Sequence, residues 1–163
     1  MRNILKYFAT VLVVITLSCL NFGKEALSAP PSEKRLIEHG HYLSQIAGCN
    51  DCHTPDFLLS EGKVPEKLWL TGSRFGWRGP WGTTYAVNLR LFAGNLTENQ
   101  WVTLAKALRA RPPMPWFDLN IMEDHDLRAL YHFMRYLGPG GKPAPAYLPT
   151  DKEPQTPYAL FSN

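Results

Sequence analysis

The sequence predicts one small all-α domain, preceded by a targeting segment and followed by an irregular tail. Three observations carry this. The chain has 163 residues, 45% apolar and 19% charged, which fits a single globular domain and excludes wholesale disorder. Three segments repeat apolar residues at helical spacing. Fourteen prolines and twelve glycines confine regular structure to short elements. A multidomain enzyme, a collagen-like repeat, a coiled coil and a polytopic membrane protein are excluded at this stage.

The N-terminus reads as a signal peptide. Arg2 and Lys6 make a basic start, and Ala9 to Leu20 is an almost wholly apolar run. At about a dozen residues it is shorter than the roughly 20 that a membrane span needs. Small residues at Ser28-Ala29 place cleavage after Ala29, so residues 1–29 are expected to be removed. An uncleaved anchor, giving membrane association, and a lipoprotein cut before Cys19 are the alternatives. All three export the domain, and the expected location is the periplasm. The full chain carries 17 basic and 14 acidic residues, a net charge of +3, too small for a nucleic-acid-binding stripe. Residues 30–163 carry 14 basic and 13 acidic residues, so the charge gives no argument for an acidic partner.

The first helix opens at Pro30-Pro31-Ser32, with Ser32 as cap and Glu33 in the first turn. Leu36, Gly40, Leu43 and Ala47 share one face, and Gly48 ends it. The second is announced by Thr97-Glu98-Asn99-Gln100, a capping box. Trp101, Leu104, Ala105 and Leu108 follow at helical spacing, and Pro112-Pro113 stops the run. The third runs from about Asp124 to Leu137, with Leu127, Leu130, Tyr131, Met134 and Leu137 as its stripe and Gly138-Pro139 as its end. Between the first two helices, Thr54 to Asn95 is rich in Gly, Pro and Trp and has little periodicity. It is an unusually long loop for a compact domain, so something other than a protein core is expected to organise it. The domain is therefore placed at residues 32–138. Residues 139–163 form a Pro-rich tail; six prolines fall in the last 26 residues, which predicts extended chain, disordered or wrapped over the surface.

Chemistry concentrates in Cys49-Asn50-Asp51-Cys52-His53, a C-x-x-C-H sequence. Its usual meaning is covalent attachment of one haem c. Two thiols three residues apart on a tight turn reach both vinyl groups of one haem, and the next residue offers its imidazole to the iron. A redox C-x-x-C normally follows a strand in a βαβ context. A structural zinc site needs a fourth Cys or His at suitable spacing. A plain Cys49–Cys52 disulfide is the remaining alternative.

A six-coordinate iron needs a second axial ligand. Met114, Met122, Met134, His39, His41, His125 and His132 are the candidates. Met134 lies on the apolar stripe of the last helix and reads as core; Met122 abuts that helix and reads as packing. His125 and His132 lie off the stripe. His39 and His41 sit on the helix that runs rigidly into the motif and are poorly placed for the opposite haem face. Met114 sits in Arg111-Pro112-Pro113-Met114-Pro115-Trp116, where prolines fix the backbone and reduce the entropy lost on pinning a thioether to iron. Met114 is the expected ligand.

These residues resemble a single-haem class I cytochrome c: a helix leading into Gly48-Cys49-x-x-Cys52-His53, a methionine downstream and an aromatic-bearing last helix. More narrowly, Met114-Pro115-Trp116 followed by Asp126-Leu127-x-Ala129-Leu130-Tyr131 is similar to the "MPY … DLxALYxYL" pattern of cytochrome subunits of bacterial membrane-bound dehydrogenases. Gly82-Thr83-Thr84-Tyr85-Ala86-Val87-Asn88 resembles their "GxxYSxNIT" stretch. The resemblance covers about residues 32 to 138. The chain departs from it in having one C-x-x-C-H motif, a Trp-rich insertion from Pro55 to Trp81, and Glu123 where Ser or Thr usually caps the last helix. It implies a class I fold in which the first and last helices cross beside the haem. Gly40 would be the low point of that crossing, with Tyr131 or Phe133 over it.

Haem propionates need hydrogen-bond donors when partly buried. Arg78, Trp81, Tyr85 and Asn88 are the expected donors. With His53 and Met114 saturating the iron, the expected role is a non-enzymatic one-electron carrier between redox partners, a dehydrogenase or a terminal oxidase. No acid–base or nucleophilic set of the kind an enzyme needs is visible. The alternatives are a peroxidase-like haem enzyme and a gas-binding sensor with a labile sixth ligand. A single motif argues against the dihaem peroxidases, and its position near the mature N-terminus against the four-helix gas sensors.

Overall fold

The structure is a computed structural model that describes residues 32–162; the expected signal peptide and its cleavage site lie outside them. Residues 33–163 cluster as one compact unit. Six helices and one small sheet make up the described chain: α1 (Glu33–Ile46), α2 (Cys49–His53), a 3-10 turn (Glu66–Leu68), β1 (Gly76–Gly79), β2 (Gly82–Tyr85), α3 (Leu89–Gly94), α4 (Glu98–Ala107), α5 (Trp116–Ile121), α6 (Asp124–Leu137) and β3 (Tyr158–Leu160). The fold is mostly helical, as a small cytochrome fold is.

The long helices begin and end where their local chemistry dictates. Gly48 turns the chain between α1 and α2 with φ +68, a left-handed conformation that glycine adopts without a Cβ penalty. Thr97 and Gln100 cap α4 reciprocally. Gly138, at φ +66, ends α6.

The core is built on α6. Leu127, Ala129, Leu130, Phe133 and Met134 are buried along it. The extensive partner is α1, and Gly40 is what lets the two approach. A Cβ on Gly40 would lie 2.0 Å from the Ala129 carbonyl oxygen and 2.7 Å from the Phe133 Cβ. The expected crossing is therefore present, with Ala129 and Phe133 nearest to Gly40. On the other side Trp101 of α4 is buried and donates its indole N–H to the Leu127 carbonyl at 2.7 Å.

The all-α expectation misses one element. Residues 54–95 are not one long loop; they hold a hairpin and a short helix. β1 and β2 pair antiparallel, with Gly76 opposite Tyr85 and Gly79 opposite Gly82, and Pro80-Trp81 turn between them. β3 joins in parallel on the other side, Trp77 opposite Ala159, giving the order β2-β1-β3. The Pro-rich tail is thus wrapped onto the domain, and Leu148 bridges Thr83 on the way. The strands are three or four residues long, too short to carry an alternation that a sequence reading could detect.

Candidate cofactor site

The C-x-x-C-H motif forms its own short helix, α2, directly after the left-handed Gly48. A network beneath it fixes its orientation. Asn50 is fully buried, reaches Ser44 Oγ with its amide at 3.4 Å and accepts the Thr54 hydroxyl at 2.6 Å. Thr54 Oγ1 in turn accepts the Leu70 N–H at 2.8 Å. The Gly72 N–H closes the arrangement on the His53 carbonyl at 2.7 Å. Among the described residues no buried side-chain nitrogen or oxygen lacks a partner, as burial requires.

His53 is buried, 8% exposed, and its Nδ1 lies 2.8 Å from the Val87 carbonyl oxygen. A carbonyl only accepts, so Nδ1 carries the proton and Nε2 keeps its lone pair. Nε2 has no hydrogen-bond partner among the described residues. Burial lowers the imidazole's affinity for a second proton, which the Val87 contact only partly offsets. The ring is therefore held neutral, oriented and ligand-competent.

Cys49 and Cys52 are free thiols. Burial pushes Cys49 up to about 11, and burial with the neighbouring Asp51 carboxylate raises Cys52. A redox C-x-x-C works through a lowered thiol, so the shift has the wrong sign for that chemistry. Zinc fits no better. The two thiols and the imidazole do not gather within 4.8 Å of one another, as ligands of one small ion would. Two spread thiols beside a buried imidazole with a free Nε2 do fit a covalent haem.

Met114 is half-buried and lies outside the hydrophobic core cluster, whereas Met134 is 2% exposed within it. Met122 packs against that cluster at the end of α5. The Met114 loop is held to β2: the Thr84 hydroxyl donates to the Pro112 carbonyl at 2.7 Å. The Trp116 N–H closes the loop onto the Met114 carbonyl at 2.9 Å. Thr84 and Val87 lie three residues apart, at most about 11 Å of chain. One short segment therefore anchors both the Met114 loop and the His53 ring. The GxxY-type stretch marked this segment in the sequence, but the Val87 carbonyl left no side-chain signal there. Ser44, Asn50 and Thr54, spaced six and four apart, were the available clue to the buttress.

Each of the four expected propionate donors meets a partner within the chain. Arg78 is spent on the tail: its guanidinium donates to the Lys152 carbonyl at 2.7 Å and the Thr150 carbonyl at 3.1 Å, and pairs with Glu153 at 3.1 Å. Asn88 caps α3 with its oxygen and gives its amide hydrogens to Gly140 and Lys142. Trp81 donates to the Trp77 carbonyl at 3.2 Å. Tyr85 accepts from Thr156 at 3.3 Å and is the one whose own hydroxyl hydrogen remains uncommitted. Tail carbonyls take Arg78 and Asn88, a β1 carbonyl takes Trp81, and Tyr85 only accepts. No helix among the described residues is long and apolar enough to cross a membrane.

No protein-family model matches the chain, and no solved structure does. The chain is similar to the cytochrome c subunit of the quinone alcohol dehydrogenase of Gluconobacter oxydans (strain 621H), 27% identical over 132 residues. The match covers 75% of this chain and 25% of the relative, so the chain spans about a quarter of the length of the curated relative it matches. The likeness supports a loose relationship to c-type cytochromes.

Proposed function

We propose that this protein is an exported c-type cytochrome, a one-electron carrier with a single covalent haem, serving a periplasmic dehydrogenase. Cys49 and Cys52 would attach the haem, and His53 and Met114 would hold its iron. The observation that carries the reading is the His53 imidazole, buried, held at Nδ1 by Val87 and left with its Nε2 lone pair. When bound, the haem supplies a ferrous–ferric couple.

The chain's own residues do the rest. The Val87 carbonyl keeps the His53 ring in one tautomer and one plane, which fixes ligand basicity. The Asn50–Thr54–Leu70 network holds α2 against the core, so oxidation and reduction proceed with little rearrangement. Met114, on a loop braced by Pro112, Pro113 and Pro115, offers a thioether that favours the ferrous form and raises the potential. The likeness to a dehydrogenase's cytochrome subunit supports the choice of a dehydrogenase over a terminal oxidase as partner.

The experiment is a pair of replacements on the full chain made with haem-maturation machinery. The product is expected to exceed its polypeptide mass by one haem, and Cys49→Ala with Cys52→Ala to abolish covalent haem. Met114→Ala is expected to lose the sulfur–iron band, bind carbon monoxide and fall in potential, with about 59 mV for each tenfold change in relative ferrous affinity. Met122→Ala is expected to leave the spectrum unchanged. A wild-type protein that is already high-spin and binds carbon monoxide would instead support a labile sixth position and a sensor or peroxidase role.

A further inference from the structure

Outside the cofactor site, three metal-binding side chains meet where α1 crosses α6. His39 comes from α1, and His125 and Asp126 from the first turn of α6. Their ligand atoms all lie within 4.8 Å of one another, the one such gathering found among the described residues. His39 Nε2 is 2.7 Å from Asp126 Oδ1, and His125 Nδ1 is 3.4 Å from the same oxygen. We propose that His39, His125 and Asp126 form a binding site for one zinc ion, which staples α1 to α6. The proposal is independent of the haem reading.

The position follows from the crossing. Gly40 brings α1 onto the Ala129 carbonyl, and this carries its neighbour His39 to the start of α6, one turn before Ala129. The ring is held there: Tyr42 stacks on His39 at 6.4 Å between centroids, and His125 lies 5.0 Å away. The side chains of His39, Asp126 and His125 are 34%, 30% and 54% exposed, so an ion reaches them without unfolding. Two imidazoles and one carboxylate are borderline donors that suit zinc better than calcium or magnesium, and three protein ligands leave the fourth tetrahedral position to water.

The charges agree. Hydrogen bonding from His39, reinforced by His125, holds the Asp126 carboxyl below the usual carboxylate range, so it is ionised at neutral pH. Asp124 in the same turn is drawn away by Lys106 at 3.4 Å. The positive end of the α6 dipole opposes a cation, and the Asp126 charge offsets it. Zinc takes a lone pair from each imidazole, so a proton that His39 Nε2 or His125 Nδ1 gives to Asp126 leaves that nitrogen when the metal binds.

The test is titration of the full chain, freed of loosely held metal by a chelator, with zinc chloride. Calorimetry, zinc counted separately from iron, and thermal melts are the readouts. One zinc per chain is expected, with a melting temperature that rises with zinc concentration because the metal binds the folded crossing. His125→Ala removes only an exposed ring, so its fold is not at issue. It is expected to weaken zinc binding at least about tenfold and to abolish the rise, as is Asp126→Asn. His132→Ala, on the same helix but paired with Glu98, is expected to bind as the wild type does. Wild-type melting that ignores zinc, or zinc bound equally well by His125→Ala and Asp126→Asn, would overturn the proposal.

Discussion

The α1–α6 crossing and the sheet with its tail are held together by different physics. At the crossing, surfaces interlock: Gly40 lies on Ala129, and Leu127 and Phe133 are 0% and 1% exposed. Around the sheet, side-chain donors grip main-chain carbonyls. Arg90 is 7% exposed and donates to the carbonyls of Lys67 at 2.8 Å, Gly138 at 2.6 Å and Leu137. Asn88 holds Gly140 and Lys142, and Arg78 holds Thr150 and Lys152. The contrast has a compositional cause. Prolines donate no N–H, so a proline-rich tail is short of donors and has carbonyls to satisfy. Arginine and asparagine supply the missing donors from the domain.

Three substitutions separate the two modes. Gly40→Val puts side-chain atoms where the Ala129 carbonyl already stands, and is expected to cost about 3 kcal/mol, read from chemical denaturation. An unchanged midpoint would mean that the helices do not touch there. Arg90→Met keeps apolar volume but strands buried carbonyls, and is expected to cost about 2 kcal/mol. Its signature is raised amide exchange across 139–161 with α1 and α6 still protected; uniform loosening of both regions would erase the distinction. Glu153→Gln removes the exposed partner of Arg78, itself 61% exposed, and is expected to cost under about 0.5 kcal/mol. A larger loss would mean that the ion pair, and not the Arg78–carbonyl bonds, secures the tail.

The same division decides what was legible in the sequence. The bounds of α6, the capping box at Thr97 and the crossing glycine at position 40 are local or periodic signals, and each appears where expected. The sheet was not legible. Its strands are too short to alternate, and β3 finds its partner more than seventy residues upstream. α3 and α5, at six residues each, fall below the length at which periodicity speaks. At the candidate site the C-x-x-C-H string is plain to read, but the acceptor that orients His53 is a main-chain carbonyl 34 residues away. Arg78 and Asn88 were identifiable as donors by type; which acceptors they serve depends on where the tail runs.

The tail strand also has a bearing on self-association. Without β3, β1 would present an open row of amides and carbonyls beside Phe75 and Trp77, a template on which a second chain could pair. β3 covers that edge with a strand only three residues long, entered from Pro157 and fully in register. The new outer edge is short and proline-flanked, which makes it a poor seed for further pairing. A chain truncated before Tyr158 would therefore trade a small loss of stability for an exposed sticky margin, and its first symptom would be aggregation and not unfolding.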